Sequence, residues 1–259
     1  MDTASWQEIV LLLLFAGFLL WKIAQARAGK EIFIRRIPGL QAIDEAVGRA
    51  AEMGTPILFQ PGIESFKEIQ TLAALGILQY VAKKAAKLNV PIFITTPQPV
   101  MVPTCEAILQ TVFEAEGKPE LIHSCSVRFV SPANDLAALG TVALINDHKI
   151  ASVCYFGNYD YTSLLYTEGG QMAGAMQIAG TADYYQIPFF IASCDYVVMV
   201  DELFASSAYL SRDPTMLGGV VAQDYGKLVL VVLLIVGVLA VTVFGAHNPL
   251  DFIQRVLTP

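Results

Sequence analysis

The last apolar run of the chain, Leu228 to Ala246, reads LVLVVLLIVGVLAVTVFGA and holds nineteen residues without one charge. A helix rises about 1.5 Å per residue, so a run of this length matches a bilayer core of about 30 Å. A second apolar run, Ile9 to Trp21, extends through Ile23 and Ala24. Lys22 stands near its inner end, where its stem can stay apolar while the ammonium reaches the headgroups. Trp6 and Trp21 flank the run, as amphipathic rings do at a membrane interface. A cleaved signal peptide is the rival reading of this segment, and Ala24-Gln25-Ala26 offers a site for it. Asp2 and Glu8, however, stand where such a peptide needs a basic region.

Basic residues near segment ends set orientation. Lys22, Arg27, Lys30, Arg35 and Arg36 crowd the inner end of the first run, and Arg212 and Lys227 precede the second. The N-terminal tail has no Lys or Arg, and the C-terminal tail has only Arg255. The expected arrangement is two spans in the cytoplasmic (inner) membrane, both termini outside and the middle domain in the cytoplasm. Residues 1–30 form the first span with its basic end, 31–212 the α/β domain, 213–247 a long helix with the second span, and 248–259 a short outer tail. The tail carries Leu250, Phe252, Ile253, Val256 and Leu257, a pattern that fits either a short interfacial helix or a frayed end.

The middle segment, roughly two hundred residues, is long enough for one well-packed domain. The net charge of −7 excludes nucleic acid as an expected partner, since phosphate binding needs a basic surface. The basic cluster beside the first span suits anionic lipid headgroups instead. Cys105, Cys125, Cys154 and Cys194 show no C-x-x-C spacing and read as free thiols. With three histidines, His123, His148 and His247, scattered along the chain, no metal site and no cofactor is implied.

Short apolar runs alternate with helical patterns in this segment. The runs are Thr55–Gln60, Val90–Thr95, Val127–Ser131, Ala151–Phe156 and Ile187–Ala192, with Tyr196–Val200 as a sixth. They are continuous rather than alternating, as strands buried on both faces are. Helices are expected over Ala42–Met53, Glu64–Leu88, Pro103–Glu116, Asp135–Asp147 and Glu202–Ser211, the last after Asp201 as N-cap, and from Pro214 onward. Strands alternating with helices predict an α/β fold: a Rossmann-like, mostly parallel sheet with helices on both faces, flanked by the two transmembrane helices.

Ligands of open α/β sheets sit outside the carboxyl ends of the strands. The expected strand ends here are polar: Gln60 and Gly62, Thr95 and Thr96, Ser131, Asn158, and Ser193 with Asp195. Polar turn residues leave any sheet this way, so the set is a candidate cleft and no more. Glu168-Gly169-Gly170 is expected to open a helix from Gln171 to Gly180. It lacks the G-x-G-x-x-G spacing and a P-loop lysine, and Glu168 would repel a phosphate. Gly169, Gly170, Ala173, Gly174, Ala175 and Gly180 serve close helix packing at least as well. Glu168, Asp183, Asp195, Asp201 and Glu202 are the acidic candidates for acid–base work or a divalent cation. Cys194 has no histidine near it in sequence, and no nucleophile elbow is present, so no catalytic set emerges.

Several stretches resemble a known family. They are Gln177-Ile178-Ala179-Gly180-Thr181, Gln186-Ile187-Pro188-Phe189-Phe190, Cys194-Asp195-Tyr196, Glu202-Leu203-Phe204-Ala205 and Ala208-Tyr209-Leu210-Ser211. Arg36-Ile37-Pro38-Gly39-Leu40 and the stretch from Ala42 to Ala50 belong with them. The chain resembles an uncharacterised family of prokaryotic membrane-anchored α/β proteins. The resemblance implies the architecture and no activity. The expected function is a membrane-anchored scaffold that homo-oligomerises through its cytoplasmic domain, its partners being the lipid bilayer, further copies of itself and other membrane proteins. Small-ligand binding or sensing at the strand ends is the alternative, and an enzyme at the membrane surface the second alternative.

Overall fold

The structure, a computed structural model, describes residues 6–27, 38–200, 202–206 and 214–244. Lys30, Arg35, Arg36, Asp201, 207–213 and the tail from Asn248 to Pro259 lie outside the described residues. The chain divides into two compact units, one of Met1–Phe33 with Arg212–Pro259 and one of Ile34–Ser211.

The larger unit follows the alternating pattern. α2 (Pro38–Met53) leads to β1 (Ile57–Gln60), α3 (Ile69–Leu88) to β2 (Ile92–Thr96), and α4 (Met101–Ala115) to β3 (Ser126–Phe129). α5 (Asn134–Asp147) leads to β4 (Ser152–Phe156), α6 (Ser163–Met172) to β5 (Met176–Thr181), and α7 (Ile187–Ser193) to β6 (Tyr196–Met199). Residues 202–206 are helical. The six strands are all parallel in the order β3-β2-β1-β4-β5-β6. This is the Rossmann order, with its reversal of direction between β1 and β4.

Each strand splits its side chains between two cores, because alternate residues face opposite sides. Ile57 and Phe59 join α2, α3 and α4 on one face, together with Ile92, Ile94, Cys154 and Phe156. Leu58, Val153, Tyr155 and Ala179 join α5, α6 and α7 on the other. Burial on both faces explains why the strand runs are continuous rather than alternating.

Five of the six helices that feed strands stop in one manner; α7 instead ends on the extended Cys194. α2, α3, α4, α5 and α6 are followed by residues in left-handed conformation: Gly54, Asn89, Gly117, Lys149 and Gly174. The next amide then bonds back to a carbonyl of the last turn, as Val90 N does to Ala85 O at 2.9 Å and Ile150 N to Ile145 O at 3.0 Å.

Two expectations are corrected. Ile187–Ala192 is not a strand but α7, with Pro188 in its first turn, where a missing N–H costs nothing. Gln171–Gly180 is not a helix: α6 ends at Met172, and Met176–Thr181 is a strand with all six residues buried. The pair Gly169-Gly170 consequently lies inside α6 and opens no helix.

The smaller unit pairs α1 (Trp6–Arg27) with α8 (Pro214–Phe244), a helix of 31 residues. A Cβ on Gly218 would fall 2.8 Å from the Ile23 Cα, so the two backbones nearly touch there. Ala222, one turn on, is fully buried, and further along the Tyr225 ring meets Phe18 edge-on at 6.1 Å. Rising numbers on α8 meet falling numbers on α1, so the helices run antiparallel. Among the described residues no helix is long and apolar enough to cross a membrane; several side chains of α1 and α8 fall outside the described set.

Two glycines give opposite expectations. A Cβ on Gly169 would lie 2.2 Å from Val142 Cγ2 and 3.0 Å from its Cβ, so Gly169→Ala should cost about 1–3 kcal/mol by overpacking α6 on α5. Gly48, inside α2, has nothing within 4 Å of such a Cβ, so Gly48→Ala should stabilise by about 0.5–1 kcal/mol. Urea-unfolding midpoints of the two variants in mild detergent check both.

Candidate functional site

The reversal point between β1 and β4 is where a doubly wound sheet offers its crevice. Here the crevice is filled by the chain itself. A Cβ on Gly62 would lie 2.8 Å from the Asn158 carbonyl oxygen, and one on Gly157 2.8 Å from that of Pro61. The two loops thus touch backbone to backbone, which requires glycine; φ is +85° at Gly62 and +128° at Gly157. Ile63 N donates to Asn158 O at 2.8 Å and ties the loops together.

Gln60, at the end of β1, is fully buried beneath this contact. Its Oε1 accepts from Gly62 N at 2.6 Å, and its Nε2 donates to Gly62 O at 3.2 Å and to the Tyr166 hydroxyl at 3.4 Å. The Tyr159 hydroxyl donates to Gln60 O at 2.6 Å, and that of Tyr155 to Tyr166 O at 3.0 Å. The three tyrosine rings pack at mutual angles with centroids 5.5 to 6.0 Å apart, and Phe190 closes on Tyr159 at 5.5 Å. Burial pushes all three hydroxyls above the usual tyrosine range, so they remain donors at any ordinary pH.

Gln186 locks the neighbouring turn. Its Oε1 accepts from Tyr159 N at 3.0 Å and from the Thr181 hydroxyl at 3.2 Å. Its Nε2 donates to Asn158 Oδ1 and, at 3.0 Å, to Asp183 Oδ2. Gln70, at the start of α3, accepts from Ala182 N at 3.0 Å.

The sequence candidates fall into two groups. Gln60, Gly62 and Asn158 are brought together at the reversal point. Thr95, Thr96 and Ser131 share this end of the sheet, but their hydroxyls are engaged separately. Thr95 bonds Thr141 at 3.0 Å, Thr96 Oγ1 accepts from Gln98 N at 3.1 Å, and Ser131 Oγ from Ala133 N at 3.1 Å. Ser193 and Asp195 lie at the opposite, amino end, because they follow α7 and precede β6. Ser193 Oγ is bonded to Thr167 Oγ1 at 2.7 Å, and Asp195 Oδ2 accepts from Gln177 N at 2.7 Å. Glu168 is exposed on α6; Gly169 packs on Val142, and Gly170 on Gln177 Oε1.

Among the described residues no group of three or more His, Cys, Asp or Glu is placed to hold a metal ion. Burial pushes the thiols of Cys105, Cys154 and Cys194 up to about 12. A thiol held there carries no nucleophilic thiolate at neutral pH. Sequence reasoning missed Gln177, Gln186, Tyr159 and Tyr166. Their signal is a large polar residue or tyrosine within or beside an apolar run, which a core accepts only when its polar atoms are bonded.

Residues 1–251 match the model of a domain of unknown function (DUF6754). The chain belongs to this family. No curated protein matches the chain. Among solved structures it is similar to a universal stress protein crystallised in complex with cAMP, at 16% identity over 56% of this chain and 96% of that one, with a TM-score of 0.30.

Two outcomes follow from the closed crevice and the buried thiols. Gly62→Val places a side chain against the Asn158 backbone at an unsuitable φ and should cost more than about 2 kcal/mol, read from the urea midpoint. Cys105, Cys154 and Cys194 ionise near 9 when unfolded and near 12 when folded, so above pH 9 the folded state binds more protons. Stability should therefore be full below pH 9 and fall as pH rises from 9 to 12, by a slope that shrinks when Cys154 is replaced by Ala.

Proposed function

We propose that the chain is a membrane-anchored scaffold whose Rossmann-like domain self-associates. The observation that carries this reading is the filled crevice. The loops after β1 and β4 meet backbone to backbone at the reversal point, and beneath them Gln60 and Tyr159 bond within the protein. A domain built this way acts through its outer surface.

The anchor rests on α1 and α8. Beyond Tyr225, α8 exposes Leu228, Val229, Leu230, Val231, Val232, Leu234, Ile235 and Val238. Consecutive residues point in all directions around a helix, so apolar surface on every side suits a hydrocarbon surround. Lys22 Nζ lies 4.4 Å from the Tyr225 ring centroid and 5.1 Å from that of Trp21. Aromatic rings and a snorkelling lysine at one level, with the apolar run beginning just after, fit a headgroup boundary. The cations Lys22, Arg27, Lys30, Arg35 and Arg36 favour the cytoplasmic side for that boundary, with both termini outside. Neither run carries an interior charge, and the two spans of one copy are too few to enclose a transport path alone.

The full chain should stay with vesicles through alkaline carbonate, and in mild detergent its native protein mass should be two or more times 28.1 kDa. A monomer insensitive to concentration would end the scaffold reading. A rise in melting temperature with nucleotides or small acids would replace it with the ligand-binding one.

A further inference from the structure

The loops that close the crevice form one platform at the carboxyl end of the sheet. Ile63 N and Asn158 O join the loops after β1 and β4 at 2.8 Å, and Gln186 Nε2 and Asn158 Oδ1 join those after β4 and β5. Gln70 Oε1, in the first turn of α3, accepts from Ala182 N at 3.0 Å and holds the start of α3 against the loop after β5. On this platform stand Phe66, Ile69, Tyr161, Tyr184 and Tyr185, all exposed, Tyr185 the most at 86%. None of the five belongs to either core. Exposed rings gathered on bonded loops mark a contact surface, and tyrosine, apolar in body and polar at its tip, suits a headgroup layer.

The chain enters and leaves the larger unit at this same end. α2 runs toward the start of β1, so Pro38 begins it at the carboxyl end, and a Cβ on Gly39 would lie 2.2 Å from Val198 Cγ2, near the end of β6. Residues 202–206 follow β6, with Leu203 buried beside Gly180 of β5. The links beyond, 28–37 and 207–213, are ten and seven residues long. Fully extended, they reach at most about 36 and 25 Å. An end tethered this closely to a bilayer meets it at high effective concentration, so a contact too weak to form in free solution forms here.

Charge selects the kind of lipid. Glu64, Glu68, Asp135, Asp160, Asp183 and Glu202 lie at this end, against the cations Lys67 and Arg128. Arg49, Lys87, Lys118 and Lys149 lie at the other end, where α2, α3, α4 and α5 stop. An excess of carboxylate is repelled by anionic headgroups and not by zwitterionic ones, so apolar contact carries the binding.

We propose that this platform rests on zwitterionic lipid headgroups, with Phe66, Tyr184 and Tyr185 entering the interfacial layer beside Ile69. The inference rests on the membrane anchor of the reading above and not on self-association.

The test attaches a nitroxide to Tyr185→Cys or Ile69→Cys in the full chain, reconstituted in phosphatidylcholine nanodiscs. Met172→Cys, at the end of α6 and 90% exposed, is the control, and the unsubstituted chain gives the background from its own thiols. All three sites are exposed, so the variants should melt with the unmodified chain. The ratio of oxygen to nickel-chelate collisions should be several-fold higher at 185 and 69 than at 172, and should fall in discs of equal parts phosphatidylcholine and phosphatidylglycerol. Equal ratios at all three positions overturn the contact and leave the anchor standing. A ratio that rises with phosphatidylglycerol makes the occupant anionic lipid and overturns the assignment to zwitterionic headgroups. Shielding of 185 that grows with protein concentration in mild detergent makes this end a contact between copies and overturns it as well. A chain that does not enter the discs removes the anchor, and this inference with it.

Discussion

The contact on which the domain turns is that between two glycine backbones, Gly62 after β1 and Gly157 after β4. Parallel strands at a reversal point normally diverge into loops that leave a crevice. Here both loops take conformations open to glycine, and each approaches the other's backbone to within the space of a methyl group. Everything around them follows. Gln60 can turn back on Gly62 only because the loop is so tight, and Tyr159 can reach Gln60 O only because Asn158 is held by Ile63. The loops and the tyrosines beneath them form one bonded unit, whose polar atoms are satisfied within the protein.

That unit explains how polar residues come to lie in a core of this kind. Hydroxyls and amides removed from water cost several kcal/mol each unless bonded, on the order of 2–7. Gln177 shows the arrangement at the sheet's other end. Its Nε2 donates to Thr167 O and Ser193 O, both at 2.9 Å, which fixes α6 and α7 to the start of β5. Its Oε1 is left without a hydrogen-bond partner against Gly170. Two helices are held at the expense of one acceptor, and Gly170 is the residue small enough to let them close.

The sequence made much of this legible, and its failures have one source. β1, β2 and β4 stand out because runs of β-branched and aromatic residues are bounded by turn signals. β5 does not: Met-Gln-Ile-Ala-Gly-Thr is poor in such residues, and its burial comes from its central place in the sheet. Ile187–Ala192 looks like β1 and β2, since proline suits the start of a strand and of a helix alike, and seven residues show no decisive period. That one exchange moved Ser193 and Asp195 to the wrong end of the sheet. The remaining strand ends were placed rightly, but sequence spacing cannot tell a lined cleft from a filled one. That difference lies in the approach of two backbones far apart in the chain.

The same local choices shape the outer surface. Gly169 lets α6 settle on Val142 of α5, so the two helices form one close-packed slab over the sheet. The inner side of α5 mixes small and large residues, Ala137, Ala138 and Thr141 with Leu144 and Ile145. Its leucines are then divided, Leu144 inward and Leu136 and Leu139 outward. Leu136 and Leu139 lie outside the core, so polar residues at 136 and 139 would leave the interior as it is.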